Sequence, residues 1–508
     1  MKTGMNQLNY LFTSTKGLIL VAITLISLVT GIFGTLSGPM VEWGVKEFTV
    51  NLLNMELNPS ERAGRIIMLY HSIAMAVIAI EVYMITSIVK MRRDQQIKIN
   101  QLVTSGYLLA LIFGLGFAYW GQNWAFHGLF ITGLSLVFFA GVMLSVILNP
   151  WSKKYRVTNK EYAHTKKGID LERAAFFTMA VTTLISAGFG AVTGSYWGSG
   201  HETFLAEDLI REPHKNTFQY AIIGHLHIML TLIAVAITLI VGRWLDFKGI
   251  LHKIAMYLMI PGTIVISLGA WSVVWIHWAH TIIYFGSVFV MLAALMLVIY
   301  GWRRQITNRL AELNIKKAGF FKKLAALLHD PLKFGALWQM VFMNFTVSGV
   351  GIFMAVRLDE IFRVWPAREE RISLTGHWHI LAAIIATIII LYYADISGLK
   401  GKVRKWFGWI VIIGSDIAFG AVTVFSMKRL IVEETAQQDL VDTSMILTDL
   451  GLGAILVMMF IFLVWRLIDL FKKKGIWKAE AKYQELDMNP TSKRFTKPEK
   501  ENTHWKGG

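Results

Sequence analysis

The chain has 508 residues, 55% of them hydrophobic and only 16% charged, with a mean hydropathy of +0.52. Those values place it among polytopic membrane proteins and exclude an ordinary soluble domain. The formal charge of +17 does not point to nucleic acid, because the lysines and arginines fall mainly in loops on one side; the absence of cysteine excludes disulfides, thiolate-held iron–sulfur clusters and covalently attached c-type haem.

A bilayer core takes about 20 apolar residues of helix to cross. Runs of that length are 17–36, 65–89, 102–120, 126–148, 173–193 and 217–240, then 254–276, 281–302, 334–356, 372–396, 406–426 and 446–471. They predict an all-α polytopic membrane protein of about 12 transmembrane helices. The first run is long and lacks a small-residue cleavage site, so it reads as a span and not a signal peptide. Residues 1–471 form the membrane domain, and the polar, Lys-rich stretch 472–508 is expected to be a mobile tail.

The loops give an orientation. Lys90, Arg92, Arg93 and Lys98 follow the second span, and Lys153, Lys154 and Arg156 follow the fourth. Arg303, Arg304, Lys316, Lys317, Lys322 and Lys323 follow the eighth, and Lys400, Lys402, Arg404 and Lys405 follow the tenth. Alternate loops carry acids such as Glu42, Glu47, Glu202, Glu207, Glu433 and Glu434. Basic loops stay in the cytoplasm, so both termini are expected there, in a bacterial or archaeal cytoplasmic membrane.

Histidines mark three of the spans. His71 in the second is followed by SIAMAVIAI, Gly224-His225-Leu226-His227 in the sixth by IMLTLIAVAI, and Gly376-His377-Trp378-His379 in the tenth by ILAAIIATI. Aligned on His71, His227 and His379, which lie 156 and 152 residues apart, the stretches suggest three related blocks of about four helices. Two histidines two residues apart sit on nearly opposite sides of a helix, because each residue turns it by roughly 100°. With His277 and His280 after the seventh span, seven histidines share a layer near the outer face. Ionisable groups in a bilayer are costly and usually functional, and imidazole is a common metal ligand. His127, His164, His201, His214, His252, His329 and His504 read as ordinary surface or interface residues.

Twelve spans, a lone histidine in the second, GHxH in the tenth and further histidines in the sixth and after the seventh resemble the haem–copper oxidase superfamily. The likeness is to its catalytic subunit I and the nitric oxide reductase and cbb3-type relatives. The resemblance covers nearly the whole chain. It implies three pseudo-repeated four-helix arcs and two b-type haems, one low-spin and one high-spin, with a copper or non-haem iron beside the second. By that resemblance His71 and His379 would be the axial ligands of the low-spin haem, and His377 the proximal ligand of the high-spin haem. His225, or else His227, would join His277 and His280 on the copper or iron. Lys428 and Arg429 would face haem propionates.

The expected activity is that of a respiratory terminal oxidase or nitric oxide reductase. Electrons would come from quinol or from a cytochrome or cupredoxin-like subunit, with no nucleic acid involved. The chain also departs from the pattern. His277 and His280 are not adjacent, and the sixth span lacks both glutamates and a tyrosine near its histidines. Tyr284, four residues after His280, stands in a similar place to that tyrosine. Glu81 and Asp416 are the candidate proton carriers within the membrane. Two alternatives remain open: a haem-b electron-transfer subunit without the catalytic metal, and a proton-coupled transporter without haem.

Overall fold

The computed structural model describes residues 2–37, 43–58, 62–196 and 217–483. Among them are twelve helices long and apolar enough to cross a membrane. They are α1 (Thr15–Ser37), α2 (Arg62–Ile88), α3 (Arg93–Tyr119), α4 (Trp124–Leu148), α5 (Leu171–Tyr196) and α6 (Thr217–Trp244). Then follow α7 (Ile250–Ser272), α8 (His280–Glu312), α9 (Pro331–Val356), α10 (Ala367–Ile396), α11 (Gly401–Ser426) and α12 (Gln437–Phe471). Helix α9 contains a π-turn over Phe342–Val347.

Within lipid, helices gain little from hiding apolar surface from one another, so close backbone approach at small residues carries much of the packing. Three glycines do this at one repeated position. A Cβ on Gly106 of α3 would stand 2.8 Å from the Gly133 carbonyl of α4, and one on Gly262 of α7 would stand 3.1 Å from the Val290 nitrogen of α8. A Cβ on Gly414 of α11 would stand 2.8 Å from the Gly451 carbonyl of α12. These glycines lie 156 and 152 residues apart, the same offsets as His71, His227 and His379. In every block the third helix is therefore zipped to the fourth at the same place. The block structure suggested by the short histidine match is supported by an independent packing feature.

The first apolar contacts below the histidines repeat as well. Ser72, Ile228 and Ile380 are buried at one equivalent position, Ala76, Leu232 and Ile384 at the next, and Tyr83, Leu239 and Leu391 further along. Spacings of four and seven residues keep each set on one helix face. Helices α2, α6 and α10 thus turn the same stripe inward. Helix α6 packs against both α2 and α10.

Two expectations change at the ends. Residues 476–483 form a short helix (Ile476–Tyr483) that docks on the bundle; Trp477 is buried, and Glu480 meets Arg466 of α12 and Tyr10 of the N-terminal helix Lys2–Thr13. This part of the tail is fastened by ionic contacts that composition alone does not reveal. Residues 484–508 lie outside the described part. The seventh span also stops early, at Ser272, and not near residue 276.

A ring of aromatic contacts where α2, α6 and α10 meet

The histidines of the three inner helices close a cycle. The rings of His71 on α2 and His225 on α6 are nearly parallel, at 9°, with centroids 6.2 Å apart. His227 on the other side of α6 meets Trp378 of α10 edge-on, with centroids 5.4 Å apart. His379 of α10 meets Tyr70 of α2 edge-on at 5.8 Å, and its Nε2 shares a hydrogen bond with the Tyr70 hydroxyl. Each histidine of the aligned trio therefore touches a residue one or two places before the aligned position on the next helix. The order runs α2 to α6, α6 to α10, and α10 back to α2. The roughly 200° between residues two apart explains how α6 serves both neighbours.

The His71–His225 pair has the features of a ligand pair. His71 donates Nδ1–H to the carbonyl of Ile67, one turn earlier, at 2.9 Å. His225 donates Nδ1–H to the carbonyl of Ser186 on α5, also at 2.9 Å. A carbonyl only accepts, so both rings carry their proton on Nδ1 and keep a lone pair on Nε2. Metal-binding histidines are commonly oriented by such a bond from the ring nitrogen that does not face the metal. Neither Nε2 has a hydrogen-bond partner among the described residues. The His225 ring lies against Gly190 of α5, where an added Cβ would come within 2.6 Å of Cε1. On the same helix Trp271 of α7 donates to the Ser186 hydroxyl at 3.1 Å.

Size and chemistry also fit a metal. Two imidazoles each about 2.0 Å from one ion have ring centres roughly 6 Å apart when they face each other across it. Neutral imidazole suits iron, copper and zinc, and two imidazoles are a usual axial set for haem iron. The donors present therefore fit an iron or copper ion, including the iron of a b-type haem.

Other expected residues are placed differently. The structure brings His71 to His225 and not to His379, whose nitrogen meets Tyr70 instead. His377 is half-buried beside Gly351 of α9, at a cavity of about 10 Å³ that is also lined by Thr346, Ser373, Thr423 and Ser426. That is room for about one water. His280 begins α8 and His277 sits in the turn before it, so the two straddle a loop and do not share a helix face. The side chain of His277 lies outside the described residues. Among those residues no cluster of three or more His, Asp or Glu side chains suited to a metal comes together. Tyr284 is half-buried one turn into α8.

Lys428 and Arg429 meet a carboxylate of the protein itself. Glu369, near the start of α10, pairs with Arg429 and lies 3.8 Å from Lys428. Asp416 accepts from Trp338 Nε1 at 2.9 Å and Gln339 Nε2 at 3.1 Å, which makes it a clamp between α11 and α9. Thr182, Thr183, Asn344 and Ser348 bond carbonyls of their own helices. Glu81 is different: it is buried in α2, and its Oε1 has no hydrogen-bond partner. The equivalent residues in the other blocks are Ile237 and Ile389, both buried.

His252 is a correction. It is no surface residue but fully buried, with Nε2 3.0 Å from Glu172 and Nδ1 accepting from the Ala163 amide at 3.2 Å. The neighbouring Arg243–Glu172 pair completes a charged knot that joins the loop before α5 to α6 and α7. His201, His214 and His504 lie outside the described residues.

Tyr70, Trp378, Ser186 and Gly190 escaped the sequence reading. Tyr70 and Trp378 are direct neighbours of His71 and of both tenth-span histidines, so their positions were the available signal. Nothing in the sequence marks Ser186 as a carbonyl partner. Comparison with family models, curated proteins and solved structures finds no match to this chain.

Proposed function

We propose that this protein is a membrane oxidoreductase whose redox metal is held by His71 and His225, most simply as the iron of a b-type haem. The observation that carries the reading is the parallel imidazole pair with both Nδ1–H groups tied to backbone carbonyls and both Nε2 lone pairs unspent. Bound there, a haem iron supplies one-electron transfer.

The residues of the chain do the rest. Ile67 and Ser186 hold the two tautomers, Gly190 leaves the space that His225 occupies, and α2 and α6 fix the separation. This pairing departs from the His71–His379 pairing that the resemblance implies, while keeping the oxidoreductase class. Electrons would arrive from quinol or from an extracytoplasmic cytochrome or cupredoxin-like partner.

Within the class, a gas-reducing enzyme and an electron-transfer subunit are both served by such a pair. His377, which takes no part in the ring of contacts, is the histidine present for a second centre that would reduce dioxygen or nitric oxide. The break of α7 before His277 favours electron transfer without a copper or non-haem iron. A reduced-minus-oxidised spectrum of the purified protein, with and without carbon monoxide, tests all of this. A Soret band is expected in the wild type and absent in both His71→Ala and His225→Ala. A carbon monoxide response assigns the gas-reducing branch, and its absence the electron-transfer branch. A chain that binds neither haem nor a redox metal overturns the proposal.

A further inference from the structure

We infer that the short helix Phe320–Leu327, between α8 and α9, is a binding site for the headgroups of anionic lipids in the protein's own bilayer. Helix α8 has 33 residues, about 50 Å of rise, whereas the hydrocarbon core is about 30 Å thick. Its apolar part ends near Trp302, so the segment from Arg303 to Glu312 projects beyond the core on the Lys- and Arg-rich side. The short helix packs back against α8. Its far end leads into Asp330, which Arg404 of α11 holds through both carboxylate oxygens at 2.7 and 2.8 Å. The helix is thus tethered at both ends close to the membrane surface.

What it presents there is unusual for a solvated loop. Phe320 and Phe321 are 73% and 82% exposed, and Leu324 is exposed beside them. Lys316, Lys317, Lys322 and Lys323 surround them and are also exposed. In the helix only Ala326 is buried. Apolar rings flanked by lysines describe a helix that lies in the interface, rings toward the acyl chains and ammonium groups at the phosphates. A basic surface of this kind is attracted to anionic lipid, and the charge complementarity selects lipid over an apolar protein partner.

The chain has no cysteine, so Ala325→Cys gives one unique labelling point on the exposed part of the helix. The full-length protein carrying an environment-sensitive fluorophore there would be placed in nanodiscs of phosphatidylcholine alone or mixed equally with phosphatidylglycerol. Quenching by aqueous iodide reports shielding, and a label at Lys474→Cys serves as the solvent-exposed control. Shielding is expected in the mixed discs and weak in pure phosphatidylcholine. Each Lys→Gln change among the four should lower the docked-to-undocked ratio about fivefold, as should added salt. Phe320→Ser with Phe321→Ser should abolish shielding with the lysines intact. Equal quenching in both discs overturns the inference. So does equal shielding in both, which would mean apolar insertion without headgroup recognition, and so does shielding in detergent by a co-purifying protein.

Discussion

Replacing Glu81 by isoleucine separates what the fold needs from what the site needs. Glu81 is 5% exposed, and Oε1 lacks a hydrogen-bond partner. Leaving a buried polar group unsatisfied costs about 1–3 kcal/mol. The other two blocks put Ile237 and Ile389 at this position, 0% and 3% exposed, so the surrounding architecture has twice accommodated this branched side chain. A swap of similar volume costs up to about 1.5 kcal/mol in imperfect repacking. The balance predicts that Glu81→Ile ranges from about 0.5 kcal/mol less stable to about 3 kcal/mol more stable. Thermal unfolding in matched detergent, with Glu81→Gln beside it, measures the change. A loss of more than about 1.5 kcal/mol would refute the reasoning, because it would mean that the carboxyl makes a supporting contact. If stability holds while electron transfer or its pH dependence changes, the carboxyl serves the reaction and not the bundle.

Gly190→Ala would place a methyl 2.6 Å from Cε1 of His225 and push the ring from its seat. The helix should tolerate alanine, which is favoured over glycine by about 1 kcal/mol, while affinity for haem or metal falls about 10- to 100-fold; pyridine haemochrome and metal analysis read both. Asp416→Asn leaves one acceptor oxygen for the two donors Trp338 and Gln339, so it should cost about 1–3 kcal/mol and leave redox turnover unchanged; a collapse of turnover beyond that loss of stability would make Asp416 a proton carrier after all. Glu172→Gln strips a buried carboxylate from Arg243 and His252, and breaking such a pair costs about 3–5 kcal/mol, visible as a large drop in melting temperature. Tyr70→Phe removes the hydrogen bond to His379, worth about 1 kcal/mol, and should leave the spectrum of a His71–His225 centre nearly unchanged.

The membrane spans were readable because hydropathy over twenty residues is a property of the chain itself. That histidines of α2, α6 and α10 come together was readable, because each lies in the first half of its apolar helix. The partner of each histidine was not, since helix rotation depends on contacts made by other segments. His71 could be placed in the first half of α2 from sequence, but only the packing of α5, α6 and α10 decides that it faces His225. The same holds for Lys428 and Arg429, whose carboxylate partner Glu369 lies about 60 positions away. A further signal was present and unused: Gly106, Gly262 and Gly414 repeat at the histidine offsets and would have strengthened the internal repeat before any coordinates. His252 shows the opposite failure. A histidine beside a basic loop reads as solvated, and nothing local announces that Glu172 and Ala163 enclose it.

The three-block architecture gives the ring of contacts a physical reading. Three helices with the same buried stripe converge because each block zips its third and fourth helices at a glycine and leaves its second helix to face inward. Symmetry alone would make the three junctions alike. They differ instead: imidazole on imidazole between α2 and α6, imidazole on indole between α6 and α10, imidazole on phenol between α10 and α2. Only the first offers two imidazole nitrogens, one from each of two inner helices, to a single ion. The second is closed by Trp378, which offers a donor and no lone pair for a metal, and the third already spends the His379 nitrogen on Tyr70. On the proposed reading, an aligned repeat with one junction carrying paired imidazole donors is where a metal would sit. Exchanging the junctions, with Trp378→His to pair with His227, should therefore create a second metal site; if that variant gains no metal while the wild type holds one at His71, convergence of the three helices is not what builds the site.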